Sequence, residues 1–136
     1  ISWGELYTSL QQGVVDGAEN NPPSFYLSRH YEVCKYYTLD EHTVLPDVLL
    51  ASTHFWDRLS EEEKGWLRKA VTQSVAFQRV LWMASEEEAL AAVQEAGVTI
   101  IKPEKTLFAE KVKTVLDTYK EDPELFSLIR QIQNTR

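Results

Sequence analysis

Cysteine is almost missing from this chain. Cys34 stands alone among 136 residues, so no internal disulfide can form and cysteine usage leaves the redox compartment open. Basic residues are also short: 14 Lys and Arg face 21 Asp and Glu, a net charge of −7. Phosphate backbones are held by basic surfaces, so nucleic acid is excluded as a partner, and there is no polybasic patch for an anionic lipid surface. No apolar run approaches the roughly 20 residues that span a bilayer, which argues against direct membrane insertion. The five glycines are scattered singly, so no loop is built to cradle phosphate. His30, His42 and His54 lack helical i, i+4 spacing and a cysteine pattern beside them, so neither a metal nor another cofactor is expected. Repeats, low-complexity runs and flexible linkers are absent. With 43% apolar content the chain can bury one core, and residues 1–136 read as a single domain. The chain opens on Ile1 rather than Met, with no signal-peptide pattern, which predicts a piece of a longer protein and gives no reason to place it in the cytoplasm.

What is present begins with Gly4 to Asn21, GELYTSLQQGVVDGAENN. Leu6, Tyr7 and Leu10 share one face of a helix that should stop at Gln12, with Gly13 as a left-handed C-cap. Val14 and Val15 form an apolar step read as a short strand, and Asp16-Gly17 supplies a turn. Three adjacent hydrogen-bonding side chains, Glu19, Asn20 and Asn21, are thereby delivered to a loop, the place where open α/β folds present groups to a ligand. Pro22-Pro23 is expected to keep the backbone extended, with Ser24 capping a short helix that carries Arg29, His30 and Glu32 on its polar side.

From Tyr36 to Leu50 the β-branched and aromatic residues, interrupted by Asp40-Glu41-His42 and Pro46, read as one long bent strand or two short ones. Thr53 opens a short helix. Ser60 with Glu63 forms a capping box for a helix of about 36 residues, roughly 54 Å long, that runs to Gly97. Trp66 and Trp82 fall about 160° apart on it, so one apolar stripe cannot bury both and the helix is expected to be covered on two sides. A strand at Val98–Ile101 and helices over about 105–120 and 123–133 complete an α/β chain that is rich in helix.

The run E-L-Y-T-x-L-Q-Q-G-V-V-D-G-A-E-N, Glu5 to Asn20, together with YEVCKYYTLDEH, Tyr31 to His42, resembles the solute-binding subunits of TRAP (tripartite ATP-independent periplasmic) transporters, and the likeness extends over essentially the whole chain. The resemblance implies the C-terminal part of a two-lobed periplasmic-binding-protein fold, with a few strands and one long helix. It implies a protein that closes over a small organic acid by hinge motion, hands it to TRAP membrane permease subunits, and carries out no catalysis. It places a ligand-contacting asparagine at Asn20 and an aromatic over the ligand at Trp3. The family's carboxylate-pairing arginine lies on a strand upstream of this helix, and no residue here matches it. Arg29 does not inherit that role.

Among the candidates, the amide of Asn20 offers both a donor and an acceptor to a hydroxylated acid. Asn21 extends that surface. Glu19 can accept from a ligand hydroxyl or tie down the loop backbone. Asn20-Asn21 followed by Pro22-Pro23 and Phe25 suits a sugar acid such as a hexuronate better than a bare dicarboxylate. Two other classes stand beside this reading. One is a small hydrolase using Cys34 near His30, although a lone thiol among Val33, Tyr36 and Tyr37 is more often a buried hydrophobe. The other is a helical interaction module using the tryptophans of the long helix, which burial of Trp66 and Trp82 would remove. The solute-binding reading accounts for the most features. It predicts a periplasmic protein and a fragment that self-associates through an open edge.

Overall fold

The computed structural model describes residues 1–135 of the chain, which divide into two compact units, the first Ile1–Ile101 and the second beginning at Lys102. In the first unit a 3-10 turn over Trp3–Glu5 runs into α1, Leu6–Gln11, and the helix ends where the sequence indicates, with Gly13 at φ 69°. Val14 and Val15 form no strand: the Val14 N–H bonds back to the Ser9 carbonyl at 2.8 Å, and no neighbouring strand offers them a ladder.

The two prolines do not block a helix but start one. α2 spans Pro22–Leu27 with the prolines in its first turn, where their missing N–H groups cost nothing and their fixed φ suits the helix. Its N-cap is Asn21 rather than Ser24, and the Asn21 Oδ1 accepts from the Ser24 N–H at 2.9 Å. A 3-10 turn over His30–Glu32 follows, entered through Arg29 at φ 58°. That entry turns His30 inward: it is 4% exposed, not on a polar face.

Strand β1, Tyr36–Thr38, pairs in parallel with β2, Thr99–Ile101, in the register Tyr36 to Thr99. The expected strand over Thr43–Leu50 is not formed. Residues 41–52 carry no helix or strand, and Val44, Leu45, Val48, Leu49 and Leu50 are all exposed. α3, Thr53–Trp56, leads to α4, Glu61–Glu95, whose Ser60–Glu63 capping box is present as predicted and whose exit passes through Gly97 at φ 89°. The core of this unit is small. Phe25 of α2, Val93 of α4 and Val98 meet in it, flanked by Tyr26, Tyr31, Cys34, Tyr37 and Ile100, with Ala89 buried one turn earlier on α4. α2 therefore covers only the C-terminal end of α4. Trp66 and Trp82 lie beyond its reach, 61% and 39% exposed, and the expected two-sided covering is not seen over them.

In the second unit α5, Lys105–Thr118, is capped by Glu104 and leads through a 3-10 turn to α6, Pro123–Asn134. The Asp122 carboxylate accepts from the Leu125 N–H at 3.0 Å, and Pro123 fills the first position. Among the described residues no helix is long and apolar enough to cross a membrane.

Candidate functional site

Two groups of side chains gather around α2 and the turn that follows it. The first is built on Asn20. Its main-chain carbonyl accepts from the Tyr37 hydroxyl at 2.6 Å, and its Oδ1 accepts from the Asn21 N–H at 2.9 Å. Asn20 is half-buried, and its Nδ2 has no partner among the described residues. The oxygen of the Asn20 side chain is thus engaged within the loop, while its NH2 is not. Asn21 is exposed, with its own oxygen spent on the α2 cap. Glu19 is exposed, and its carboxylate lies close enough to Tyr37 to disfavour a phenolate there. Burial, followed by the charges of Asp40, Glu19 and Glu86, pushes the Tyr37 pKa up to about 12. The Tyr37 ring lies against Phe25, centroids 4.8 Å apart.

Trp3 belongs to the second group. It is 54% exposed, and its ring meets His30 edge-on at 5.2 Å. Tyr7 of α1 lies 6.3 Å from the same imidazole and donates its hydroxyl to Glu32 Oε2 at 2.9 Å. That bond is the first cause of a raised Tyr7 pKa. Arg29, 3.6 Å from Glu32 on the surface, takes no part in the loop at Asn20. The structure thus brings Asn20, Asn21 and Glu19 to one loop and sets Trp3 against His30.

Two contributors, Tyr37 and the Tyr7–Glu32 pair, are not singled out by sequence, and His30 is read there as a polar-face residue rather than a buried one. Tyr37 is one of several aromatics in its stretch, and nothing local tells that its hydroxyl reaches 17 positions back. The cap role of Asn21 was readable, since Asn before Pro is the N-cap and N1 pattern.

Burial lowers the pKa of His30 below its ordinary value of 6.5. The groups around it are the Trp3 and Tyr7 rings, with Glu32 and Arg29 on its own turn. A histidine whose folded pKa is depressed binds fewer protons folded than unfolded. Its contribution to stability is therefore complete above about 6.5 and declines as pH falls from there toward the folded value. The first unit should melt at a lower temperature at pH 5 than at pH 7.5, and His30→Gln should flatten that dependence. Equal slopes in wild type and variant would exclude His30 as the source.

The other candidates fare differently. Cys34 is half-buried beside the core, and burial raises its thiol pKa, which leaves less thiolate for nucleophilic attack. Among the described residues no group of three or more His, Cys, Asp or Glu is placed to hold a metal ion. Trp66 and Trp82 are exposed, so burial does not remove the interaction-module reading. An open apolar groove of about 550 Å³ runs between Leu49, Leu50, Phe55, Trp56, Leu67 and Val71, with Arg68 5.1 Å from the Trp56 ring. None of the predicted ligand residues lines it.

A helix-rich unit with a short parallel strand pair, one long helix and a capped polar loop has the architecture of one lobe of a solute-binding protein. Residues 1–122 match the profile of the bacterial extracellular solute-binding proteins, family 7, and the chain belongs to that family, the periplasmic solute-binding subunits of TRAP transporters. Over its full length it is 39% identical to a solute-binding protein of Chromohalobacter salexigens, of which it spans 41%. It is 33% identical over 99 residues to the C4-dicarboxylate-binding periplasmic protein DctP of Rhodobacter capsulatus, covering 73% of this chain and 30% of that one. Among solved structures, a TRAP periplasmic solute-binding protein from Chromohalobacter salexigens with bound D-glucuronate superposes with a TM-score of 0.90 at 39% identity, over 100% of this chain and 46% of that one. One from Bradyrhizobium in complex with D-galacturonate gives 0.82 at 41% identity, over 99% and 45%. The chain therefore spans less than half the length of these relatives. The family is one of binding proteins, not of enzymes.

Proposed function

We propose that this chain is the C-terminal portion of a two-lobed TRAP receptor that captures a hexuronate and delivers it to the membrane permease subunits of its transporter. One observation carries the choice of solute: relatives that superpose on this chain at 39–41% identity hold D-glucuronate or D-galacturonate. The loop chemistry supports it. The Nδ2 of Asn20 donates to a ligand oxygen, the exposed Glu19 carboxylate accepts from a hydroxyl, Asn21 adds its NH2, and Trp3 offers an apolar ring face. None of these groups does chemistry on the solute. Closure of two lobes would desolvate the acid and produce the loaded form recognised by the permease.

The test is calorimetric titration of D-glucuronate, D-galacturonate and succinate into the complete protein that contains this chain. A hexuronate should bind at least tenfold more tightly than succinate, a difference of about 1.4 kcal/mol. Tighter binding of succinate would move the protein to the dicarboxylate side of the family.

A further inference from the structure

We infer that Tyr37 is a positioning residue of the proposed ligand site, its hydroxyl holding the main chain of Asn20 so that the Asn20 amide is delivered from a fixed point. The inference rests on the reading of Asn20 as a ligand contact. The loop needs such an anchor. Residues 14–20 have no regular structure, so nothing repetitive holds them from the upstream side. On the downstream side Asn21 is tied to α2 through Ser24. Between the two, the bond that reaches Asn20 from elsewhere in the chain is the one from Tyr37, at 2.6 Å, at the short end for O–H···O contacts.

Tyr37 is well placed to be rigid. It is the middle residue of β1, its partner in register is Ile100 of β2, and its ring packs on Phe25 in the core. Ring and hydroxyl thus connect the core of the unit to the loop by a single side chain with two rotatable bonds. The raised pKa keeps the phenol protonated through the physiological range, so it always donates. Asn20 has already given its Oδ1 to the Asn21 N–H, which leaves the Nδ2 direction set by the backbone that Tyr37 holds. A loop released from this bond would have to be reordered by each incoming ligand, and that ordering would be subtracted from affinity.

The experiment is a double-mutant cycle on the complete protein. Tyr37→Phe keeps the ring and removes only the hydroxyl, and it should weaken hexuronate binding roughly five- to tenfold, the size of one net hydrogen bond. In an Asn20→Ala background the same change should cost clearly less, because there is no Asn20 amide left to aim and only the other groups of the loop remain to be held; a merely structural tyrosine would cost the same in both. A ligand-free readout accompanies it: in the 136-residue chain, Tyr37→Phe should shift the carbonyl carbon resonance of Asn20. Wild-type affinity in Tyr37→Phe, or equal losses in both backgrounds, overturns the positioning role while Asn20 stays in the site. Unchanged binding in Asn20→Ala overturns the reading of Asn20 itself, and the inference with it.

Discussion

Replacing Phe25 with alanine is expected to lower the stability of the first unit by roughly 3–5 kcal/mol. The ring is 6% exposed and lies at the meeting point of α2, α4 and the segment before β2, in contact with Tyr37. Its removal takes away both the transfer free energy of the ring and the contacts of the atoms that lined it. The rest of that core is small, Val93, Val98 and Ala89, with little bulk able to move into the space. Whole domains are stable by only about 5–15 kcal/mol, so the variant should sit near its unfolding midpoint without denaturant. Urea unfolding followed by circular dichroism measures it, with Phe25→Leu as the volume-sparing control at less than about 1.5 kcal/mol. If alanine and leucine shift the midpoint equally, Phe25 is not the centre of the core.

The second large effect concerns the chain on its own. Presented with a hexuronate, the 136 residues are expected to bind far more weakly than the complete protein, by about 2–5 kcal/mol if a buried carboxylate loses its guanidinium partner. At 1.4 kcal/mol per decade that is roughly 30- to 4,000-fold, enough to carry micromolar binding into the millimolar range. The chain is also expected to self-associate, though not by the edge of a strand at Thr43–Leu50, which does not form. Exposed apolar side chains offer another route, among them Val44, Leu45 and Leu50 before α3 and, on α4, Trp66, Phe77, Val80, Leu81 and Met83, all more than half exposed. Calorimetry and light scattering on the isolated chain decide both points. Submicromolar binding by a particle of 15.7 kDa would mean that the proposed second lobe is not needed for binding.

How far the fold could be read from sequence depended on whether the signal was local. The Ser60–Glu63 box, Gly13 and Gly97 act within one helical turn, and each marks its helix end in the structure. β2 was legible because an apolar run closed by Pro103 has few alternatives. The stretch over Thr43–Leu50 was not, because β-branched alternation reports an extended backbone and says nothing of whether another strand pairs with it. His30 shows the same limit. Its neighbours Arg29 and Glu32 are exposed, and only the left-handed turn at Arg29 sends the imidazole inward. In the candidate site the polar loop was visible from its composition, whereas Tyr37, which arrives from β1, was not.

The long helix sets a length that the preceding chain must match. Over 35 residues α4 rises about 52 Å, and β2 begins just past its far end. Because β1 lies beside β2, the chain leaves β1 at that far end and must return to Ser60 at the near one. Fully stretched, Leu39 to Ser60 could reach roughly 65–70 Å, allowing for the single turn of α3. Most of that reach is used in simply covering the distance. By this arithmetic the segment has little slack as it returns along the helix, and no strand pairing holds it on the way. Its tolerance to change is accordingly lopsided. Added residues would slacken it at little cost, while removing a handful would set the end of β1 pulling against the start of α4.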